Sequence, residues 1–209
     1  MTAQHFRAVL FDLLTGLLDS WSLWECVAGD PERGRRWRLA YLAKTYSESL
    51  YRPYETLVRE AAVETALPAV LADRLAARYG ELEPWPGVTE VLKAVAQKCR
   101  LAVVTNCSEA LGHIAAERTG IAFDAIVTAE RAGYYKPHPR PYRLALDELG
   151  ISAKESLFVA GSAYDLFGAH AVGLPVFWHD RIGMATAVEA PSPLAHHENL
   201  QPLYKMICG

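Results

Sequence analysis

The chain lacks the features that would place it on nucleic acid or in a membrane. Its 209 residues carry 21 Lys and Arg against 24 Asp and Glu, a net charge of -3, so no basic excess favours nucleic acid or an anionic membrane as a partner. No apolar stretch approaches the roughly 20 residues that span a bilayer, and no signal-peptide segment precedes the first apolar run. We expect a cytoplasmic protein that binds neither.

Cysteine and histidine are too scattered to build a framework. The 4 cysteines include no Cys-x-x-Cys pair, which favours reduced thiols over disulfides. His196 and His197 are adjacent, so their side chains diverge, and neither stands at ligand spacing from a cysteine. The sequence therefore predicts no structural metal, and surface positions for both histidines.

What the chain does have is a buried strand that leads directly to a carboxylate. Residues 6–11 end in Val9, Leu10 and Phe11, an unbroken apolar run typical of a parallel strand buried on both faces, although periodicity alone also fits a buried helical segment. Asp12 follows, at the position where open α/β sheets bind ligands. The alternative is that Asp12 only caps a loop or a helix.

Helical patterns fill residues 17–84, and helices alternate with short apolar strands from residue 88 onward. The helical runs continue through residues 39–51, 54–67 and 69–79 and end at a hinge-like segment, residues 84–87. Strands are predicted at residues 101–104, 125–127, 157–159 and 175–178, the last closing the series. This pattern predicts an α/β protein, a Rossmann-like parallel sheet core (residues 1–16 and 85–209) with an inserted all-helical domain (residues 17–84).

Polar side chains follow four of the predicted strands. They are Asp12, the pair Thr105 and Asn106, Lys136, and the pair Ser162 and Asp165. Each could be an ordinary capping or turn residue. Because the carboxyl ends of parallel strands meet at one edge of a sheet, we expect a single site there instead.

These four segments, in this order, resemble the motifs of the haloacid dehalogenase superfamily of hydrolases. Phe11-Asp12 resembles the first motif, Thr105-Asn106 the second, Tyr135-Lys136-Pro137 the third and the run from Gly161 to Asp165 the fourth. The resemblance covers nearly the whole chain. It implies that Asp12 is the nucleophile and that the helical insertion is a cap over the active site.

Two replacements separate the chain from the magnesium-dependent phosphatases of that superfamily. Such phosphatases need a second Asp two residues after the nucleophile to protonate the departing alkoxide, and Leu14 stands there. They also need acidic magnesium ligands in the fourth motif, where this chain has Ala160 and Gly161. Displacement of a halide from carbon needs neither a general acid nor a metal, so the L-2-haloacid dehalogenases are the better match.

The likeness to these dehalogenases extends into the cap and the third motif. Trp37-Arg38 and the residues after it, Leu42, Thr45, Ser49, Leu50 and Tyr54, follow the cap helix around the family's substrate-handling Arg. On a helix, Arg38 would project from a partly apolar face, and the alternative is a solvated basic face with Arg35 and Arg36. Tyr142 matches a family position near the substrate.

Two motifs depart from the dehalogenase pattern. The family's Asp-x-Tyr-Gly-Thr becomes Asp12-Leu13-Leu14-Thr15-Gly16, and its Ser-Ser-Asn becomes Ala160-Gly161-Ser162. The first change removes a tyrosine, and the second removes an amide near the attacking carboxylate. Such changes alter the pocket and therefore bear on the choice of substrate.

The resemblance implies a two-step displacement on a small 2-halo carboxylic acid, without cofactor or metal. Asp12 would attack C2 and form an ester, Lys136 would keep Asp12 ionised, and Asp165 would direct water at the ester. The implied substrate-binding residues are Arg38, Thr105, Asn106, Ser162 and Tyr142. Tyr41, Tyr46 and Trp24 would exclude water or simply pack the cap on the core. A homodimer is left open, and the rival functions are a phosphatase on a small phosphate ester and a non-catalytic binding or regulatory protein.

Overall fold

Strands and helices alternate along most of the chain in the computed structural model, which describes residues 5–48, 50–184 and 189–209. The strands are β1 (Ala8–Phe11), β2 (Arg100–Thr105), β3 (Ala125–Thr128), β4 (Ser156–Ala160), β5 (Val176–His179) and β6 (Ala195–His197). The helices are α1 (Ser20–Ala28), α2 (Pro31–Ser47), α3 (Tyr54–Glu64), α4 (Leu71–Ala77), α5 (Val88–Val95), α6 (Glu109–Glu117), α7 (Ala129–Ala132), α8 (Pro139–Leu149), α9 (Ala163–Ala171) and α10 (Gln201–Cys208). None of the helices in these ranges is long and apolar enough to cross a membrane.

The strands form one six-stranded sheet in the order β3-β2-β1-β4-β5-β6, and all neighbouring strands run parallel. Phe11, the last residue of β1, is level with Val103 of β2 and with Val159 of β4. The predicted α/β fold is therefore confirmed. Because the strand order reverses between β1 and β4, the residue after β1 lies at the switch point where such sheets bind ligands.

Alternate residues of the central strand enter two different hydrophobic cores. Val9 and Phe11 pack with α5, α6 and α10 on one face of the sheet, and that core continues into the helical insertion. Ala8 and Leu10 pack with α8 and α9 on the other face. Burial of both faces explains why β1 has no polar alternation in its sequence.

Four helices, α1 to α4, lie in the insertion, and α2 supplies two of its hydrogen bonds to the loops at the sheet edge, from Arg38 to Thr15 and from Tyr41 to Asn106. The Asp30 carboxylate accepts a hydrogen bond from the Arg33 N–H at 2.8 Å, and Pro31 occupies the first helical position, two features that fix where α2 begins. Its buried positions recur at spacings of three and four and are Gly34, Trp37, Arg38, Tyr41, Leu42 and Thr45. A Cβ at Gly34 would overlap the backbone of Glu25, so this glycine allows α1 and α2 to cross closely.

Two antiparallel segments connect the insertion to the sheet. Leu18 and Pro84 form an isolated antiparallel bridge, and the Asp19 N–H donates to the Glu83 carbonyl at 2.8 Å. The Trp85 N–H donates to the Leu17 carbonyl at 2.9 Å. The division of the chain into residues 1–16, 17–84 and 85–209 stays a prediction, as does the hinge at residues 84–87.

Two expectations about individual elements need correction. Helix α2 ends at Ser47, because Glu48 adopts an extended backbone, so the helical run does not reach residue 51; Leu50 instead bridges Tyr134, and Ser49 lies outside the described residues. The strand series does not close at residue 178, because β6 adds to the sheet edge beside β5. Helix α10 then covers one face of the sheet through Leu203.

Candidate active site

A small cavity lies at the carboxyl edge of the sheet, beneath α2. Its volume of ≈ 30 Å³ leaves room for about one water molecule beside the lining side chains. The lining residues are Asp12, Leu14, Thr15, Arg38, Tyr41, Leu42, Tyr46, Thr105, Asn106, Lys136, Ser162 and Asp165. The structure therefore brings together seven of the eight site residues expected from the sequence, and the exception is Tyr142.

Two buried carboxylates share one lysine in this cavity. The Lys136 ammonium donates to Asp12 Oδ1 at 2.7 Å and forms an ion pair with Asp165 Oδ1 at 2.9 Å. The second oxygen of Asp12, Oδ2, accepts hydrogen bonds from the backbone N–H groups of Thr15 at 3.1 Å and Gly16 at 2.7 Å. Four directed contacts thus fix the positions of the three charged groups.

The shared lysine gives the two carboxyl groups opposite pKa shifts. Burial by itself raises the pKa of Asp12, but the Lys136 charge and the N–H donors of Gly16 and Thr15 outweigh it and bring that pKa below its usual 3.8. Burial raises the pKa of Asp165 above 3.8, and Lys136 only partly opposes that rise. Burial lowers the pKa of Lys136, but both carboxylates together raise it above 10.5. Near neutral pH Asp12 is ionised, and Asp165 is the more basic carboxylate.

The side chain of Asn106 fixes the loop that carries Lys136. Asn106 Oδ1 accepts a hydrogen bond from the Lys136 N–H at 2.7 Å, and Nδ2 donates to the Lys136 carbonyl at 3.0 Å. Asn106 lies just past the end of β2, so the position of this strand determines where the Lys136 loop lies relative to the sheet edge. This geometry makes Asn106 a support for Lys136 as well as a residue of the cavity lining.

Glycine at position 161 lets the loop after β4 approach Asp12 closely. A Cβ at this position would overlap Asp12 Oδ2 and the Gly16 nitrogen. The Gly161 N–H donates to Asp165 Oδ2 at 3.2 Å, which orients the second carboxylate. An aspartate at residue 161 would require Asp12 or the Gly16 backbone to move.

Arg38 projects from helix α2 into the cavity, on the side opposite the sheet edge. It is only 3% exposed, so the solvated basic face is excluded for it, whereas Arg35 and Arg36 are exposed. Its guanidinium lies 4.4 Å from the centre of the Trp21 ring, a cation–π distance. One Nη2 hydrogen bond reaches Thr15 Oγ1 at 3.0 Å, and burial lowers the pKa of Arg38 without removing its charge.

Two further polar groups of the lining are free to meet a ligand. Thr105 Oγ1 and Arg38 Nε are buried without a hydrogen-bond partner within the described part of the chain. Such groups cost stability unless something else satisfies them. Ser162 also lines the cavity, ahead of helix α9. These donors suit an anionic ligand between the cap and the sheet.

Tyr142 does not line the cavity, so its contact with substrate stays a prediction. The ring is fully buried against Phe158, with ring centres 5.0 Å apart, on the far side of Asp165. Its hydroxyl donates to the Asp165 carbonyl at 3.3 Å and lies 3.4 Å from Asp165 Oδ1. A Cβ at Gly168 would overlap this ring, which explains the glycine in α9. The contacts are those of a support for Asp165.

Two aromatic residues of the helical insertion line the cavity, and a third packs within the insertion. Tyr41 lines the cavity and donates from its hydroxyl to the Asn106 carbonyl at 2.8 Å. Tyr46 also lines it and stacks on Tyr164 of α9, with ring centres 3.9 Å apart. Trp24 packs behind them against Trp37, with ring centres 4.5 Å apart. Tyr41 and Tyr46 can therefore exclude water, whereas Trp24 serves cap packing.

The residues of this site do not fit the magnesium ion used by phosphatases of the superfamily. Within the described ranges, no cluster of three or more His, Cys, Asp or Glu side chains has a metal-binding arrangement. Leu14 and Gly161 occupy positions that would carry carboxylates, and the Lys136 ammonium already neutralises Asp12 and Asp165.

The fold and the site together define a hydrolase with a Rossmann-like α/β core, whose candidate active site lies between α2 and the carboxyl edge of the parallel sheet. The chain belongs to the haloacid dehalogenase-like hydrolase family, whose description matches residues 9–179. It is 31% identical over 199 residues to haloacetate dehalogenase H-2 of Moraxella sp. (strain B), covering 87% of this chain and 89% of the relative. The (S)-2-haloacid dehalogenase 4A of Burkholderia cepacia is 29% identical, with 94% and 92% covered. The L-2-haloacid dehalogenase of Xanthobacter autotrophicus superposes with a TM-score of 0.83 at 25% identity, covering 96% of this chain and 98% of that one.

Proposed function

We propose that this protein hydrolyses the carbon–halogen bond of a small 2-haloalkanoic acid through an ester of Asp12. The observation that carries the proposal is the buried cluster of Asp12, Lys136 and Asp165 beneath Arg38. It provides an ionised nucleophile, a second carboxylate and a cation for an anion, while Leu14 supplies no acid for phosphoryl transfer. The relatives named haloacetate and (S)-2-haloacid dehalogenase support the same substrate class.

The first step forms the ester. A carboxylate oxygen of Asp12 donates an electron pair to C2 of the substrate, and the carbon–halogen bond breaks as the halide departs with its electrons. The low pKa of Asp12 keeps the nucleophile ionised. Arg38 is positioned to receive the departing halide or the substrate carboxylate, and its aromatic surroundings strengthen that attraction by excluding water.

The second step returns Asp12 to its carboxylate form. Asp165 accepts a proton as water adds to the Asp12 carbonyl carbon, and its raised pKa suits that task. The N–H groups of Thr15 and Gly16, which face Asp12 Oδ2, stabilise negative charge on that oxygen. The 2-hydroxy acid leaves with the remaining proton of the attacking water. The proton on Asp165 then passes to solvent, and the overall products are a 2-hydroxy acid, a halide and a proton.

Halide release from short 2-haloacids, followed in a single turnover in ¹⁸O-water, tests this proposal. Hydrolysis of the ester at the Asp12 carbonyl places the label in the peptide that contains Asp12. Label in the hydroxy acid alone would rule out the covalent route. A generic aryl phosphate, offered with and without Mg²⁺, is the comparison substrate, and turnover of it in place of the haloacids would favour the phosphatase.

Two variants separate the steps. Asp12→Asn removes the nucleophile, so neither halide nor ester forms. Asp165→Asn keeps the nucleophile and slows hydrolysis, so mass derived from the substrate accumulates on the Asp12 peptide. If Asp165→Asn releases less than one halide per active site and carries no added mass, Asp165 acts before the ester and the assignment fails. If no short haloacid releases halide with the parent enzyme, the non-catalytic rival gains support.

A further inference from the structure

Thr15 makes hydrogen bonds to three residues of the site and its surroundings, Asp12, Arg38 and Trp85. Its N–H donates to Asp12 Oδ2 at 3.1 Å, and its hydroxyl oxygen accepts the Arg38 Nη2 hydrogen bond at 3.0 Å. Its carbonyl accepts a hydrogen bond from Trp85 Nε1 at 2.8 Å. Thr15 is buried and lines the cavity. The hydrogen bonds of its N–H and its carbonyl therefore fix the backbone of Thr15 independently of the contact between its side chain and Arg38.

The other contacts of the Arg38 guanidinium do not set its direction. Trp21 and Trp24 lie 4.4 and 5.7 Å from the guanidinium carbon to their ring centres, and such cation–π contacts tolerate rotation of the cation within its own plane. Arg38 Nε has no hydrogen-bond partner in the described ranges. Within those ranges, the Thr15 hydroxyl is the single acceptor bonded to this guanidinium.

Rotation of the guanidinium matters because its free N–H edge must face the reacting atoms. A planar cation binds an anion through particular N–H pairs, so a rotated guanidinium presents a different edge. Reaction rates fall steeply when groups that contact the transition state are misplaced by about 1 Å. Residues 15 and 38 belong to the sheet edge and the cap respectively, so the contact also sets the cap helix against the nucleophile loop.

We propose that Thr15 is a positioning residue whose hydroxyl holds the Arg38 guanidinium in the orientation that serves the anion displaced by Asp12. This inference rests on the proposed dehalogenase function. The Thr15 side chain would then orient Arg38, while the Thr15 backbone N–H binds Asp12.

Thr15→Val tests the inference, because it keeps the β-branched shape and the backbone N–H and replaces the hydroxyl with a methyl group. We expect kcat for halide release to fall by about tenfold or more while KM changes by less than about threefold, since the lost contact serves the transition state. Thr15→Ser retains the hydroxyl and restores most of kcat. In an Arg38→Lys background, Thr15→Val should add less than about threefold, because an ammonium has no plane to orient. Equal losses in both backgrounds would overturn the inference.

Nitrogen-15 NMR of the arginine side chains shows, without turnover, whether the hydrogen bond to Thr15 restrains the Arg38 guanidinium. The Arg38 signals are identified by their absence in Arg38→Lys. We expect slow guanidinium rotation, with separate Nη signals, in the parent and in Thr15→Ser, and averaged signals in Thr15→Val. If the parent releases no halide, the dehalogenase proposal fails, and these spectra still decide the Thr15 contact. Unchanged Arg38 signals in Thr15→Val would contradict it directly.

Discussion

Replacing Lys136 by Met should destabilise the protein at neutral pH and much less in acid. The variant keeps the length and shape of the side chain, and it leaves Asp12 and Asp165 buried without their shared cation. In the parent their oxygens lie 2.7 and 2.9 Å from Lys136 Nζ, so they stand within about 6 Å of each other. At an effective dielectric constant of about 20, two charges at that distance repel by about 3 kcal/mol. Removing one partner of a buried ion pair typically lowers the free energy of unfolding by about 3–5 kcal/mol, which agrees with this repulsion energy.

The pH dependence follows from the direction of the pKa shifts. In the parent the folded pKa of Asp12 lies below the usual 3.8, so its stabilisation is complete above that value and is lost as the pH falls through the folded pKa. In Lys136→Met the two carboxyl groups lose their cation, so the folded pKa of Asp12 rises and that of Asp165, already above 3.8 in the parent, rises further. Folding of the variant then takes up a proton. The difference in unfolding free energy between variant and parent should therefore shrink as the pH falls.

Urea unfolding, followed by tryptophan fluorescence at about pH 7 and pH 5, measures this difference. Lys136→Met combined with Asp165→Asn is the matched control, because it removes one of the two stranded charges and should recover part of the loss. A difference below about 1 kcal/mol at pH 7, or one that is equal at both pH values, would refute the reasoning. Halide release should be lost in Lys136→Met, because the pKa of Asp12 is no longer held low.

Four other changes give separate tests. Arg38→Lys should lower kcat for halide release by about tenfold or more despite the retained charge, because an ammonium cannot reproduce the planar contacts, and parent-like kinetics would argue against a role for Arg38. Dialysis against EDTA should leave halide release unchanged, because Lys136 already neutralises Asp12 and Asp165; a loss that Mg²⁺ restores would show that a metal ion takes part. Tyr46→Ala should raise kcat/KM for 2-chlorobutyrate relative to chloroacetate, since it opens the Tyr46–Tyr164 stack beside the cavity, and an unchanged ratio would exclude Tyr46 from size selection. Burial lowers the pKa of His179, whose Nδ1 contacts the Gly16 carbonyl at 2.8 Å, so the free energy of unfolding of the parent should fall as the pH drops from 6.5 through the folded pKa. His179→Gln should flatten that part of the plot of unfolding free energy against pH, and a plot identical to that of the parent would show that His179 does not cause the loss.

Hydrophobic periodicity predicted most of the core because it acts over short stretches. The unbroken run at Val9 to Phe11 indicated a strand buried on both faces, and β1 is such a strand. The spacing of Arg38, Tyr41 and Thr45 indicated one face of a helix, and all three are buried on α2. By contrast, β6 has three residues, two of them exposed histidines, and therefore gave no apolar signal. Its place beside β5 depends on pairing with a strand already formed.

The sequence by itself determined the fold class, the strand ends and the chemical types of the groups that meet there. Four motifs in the right order were enough to place Asp12, Thr105, Asn106, Lys136, Ser162 and Asp165 at one edge of a sheet. The absence of carboxylates at Leu14 and Gly161 could also be read directly from the chain. These features depend on residue identity and on periods of two to four residues.

Only the tertiary structure decided how the groups pair. Lys136 and Asp12 are 124 residues apart in the chain, and their 2.7 Å contact depends on the register of β1 against β2 and on the Asn106 hydrogen bonds. The same is true of Tyr142, which supports Asp165 from behind instead of lining the cavity. The Arg38–Thr15 contact required the cap and the sheet edge to be placed together. Local pattern cannot fix such contacts, because their geometry comes from the packing of elements distant in sequence.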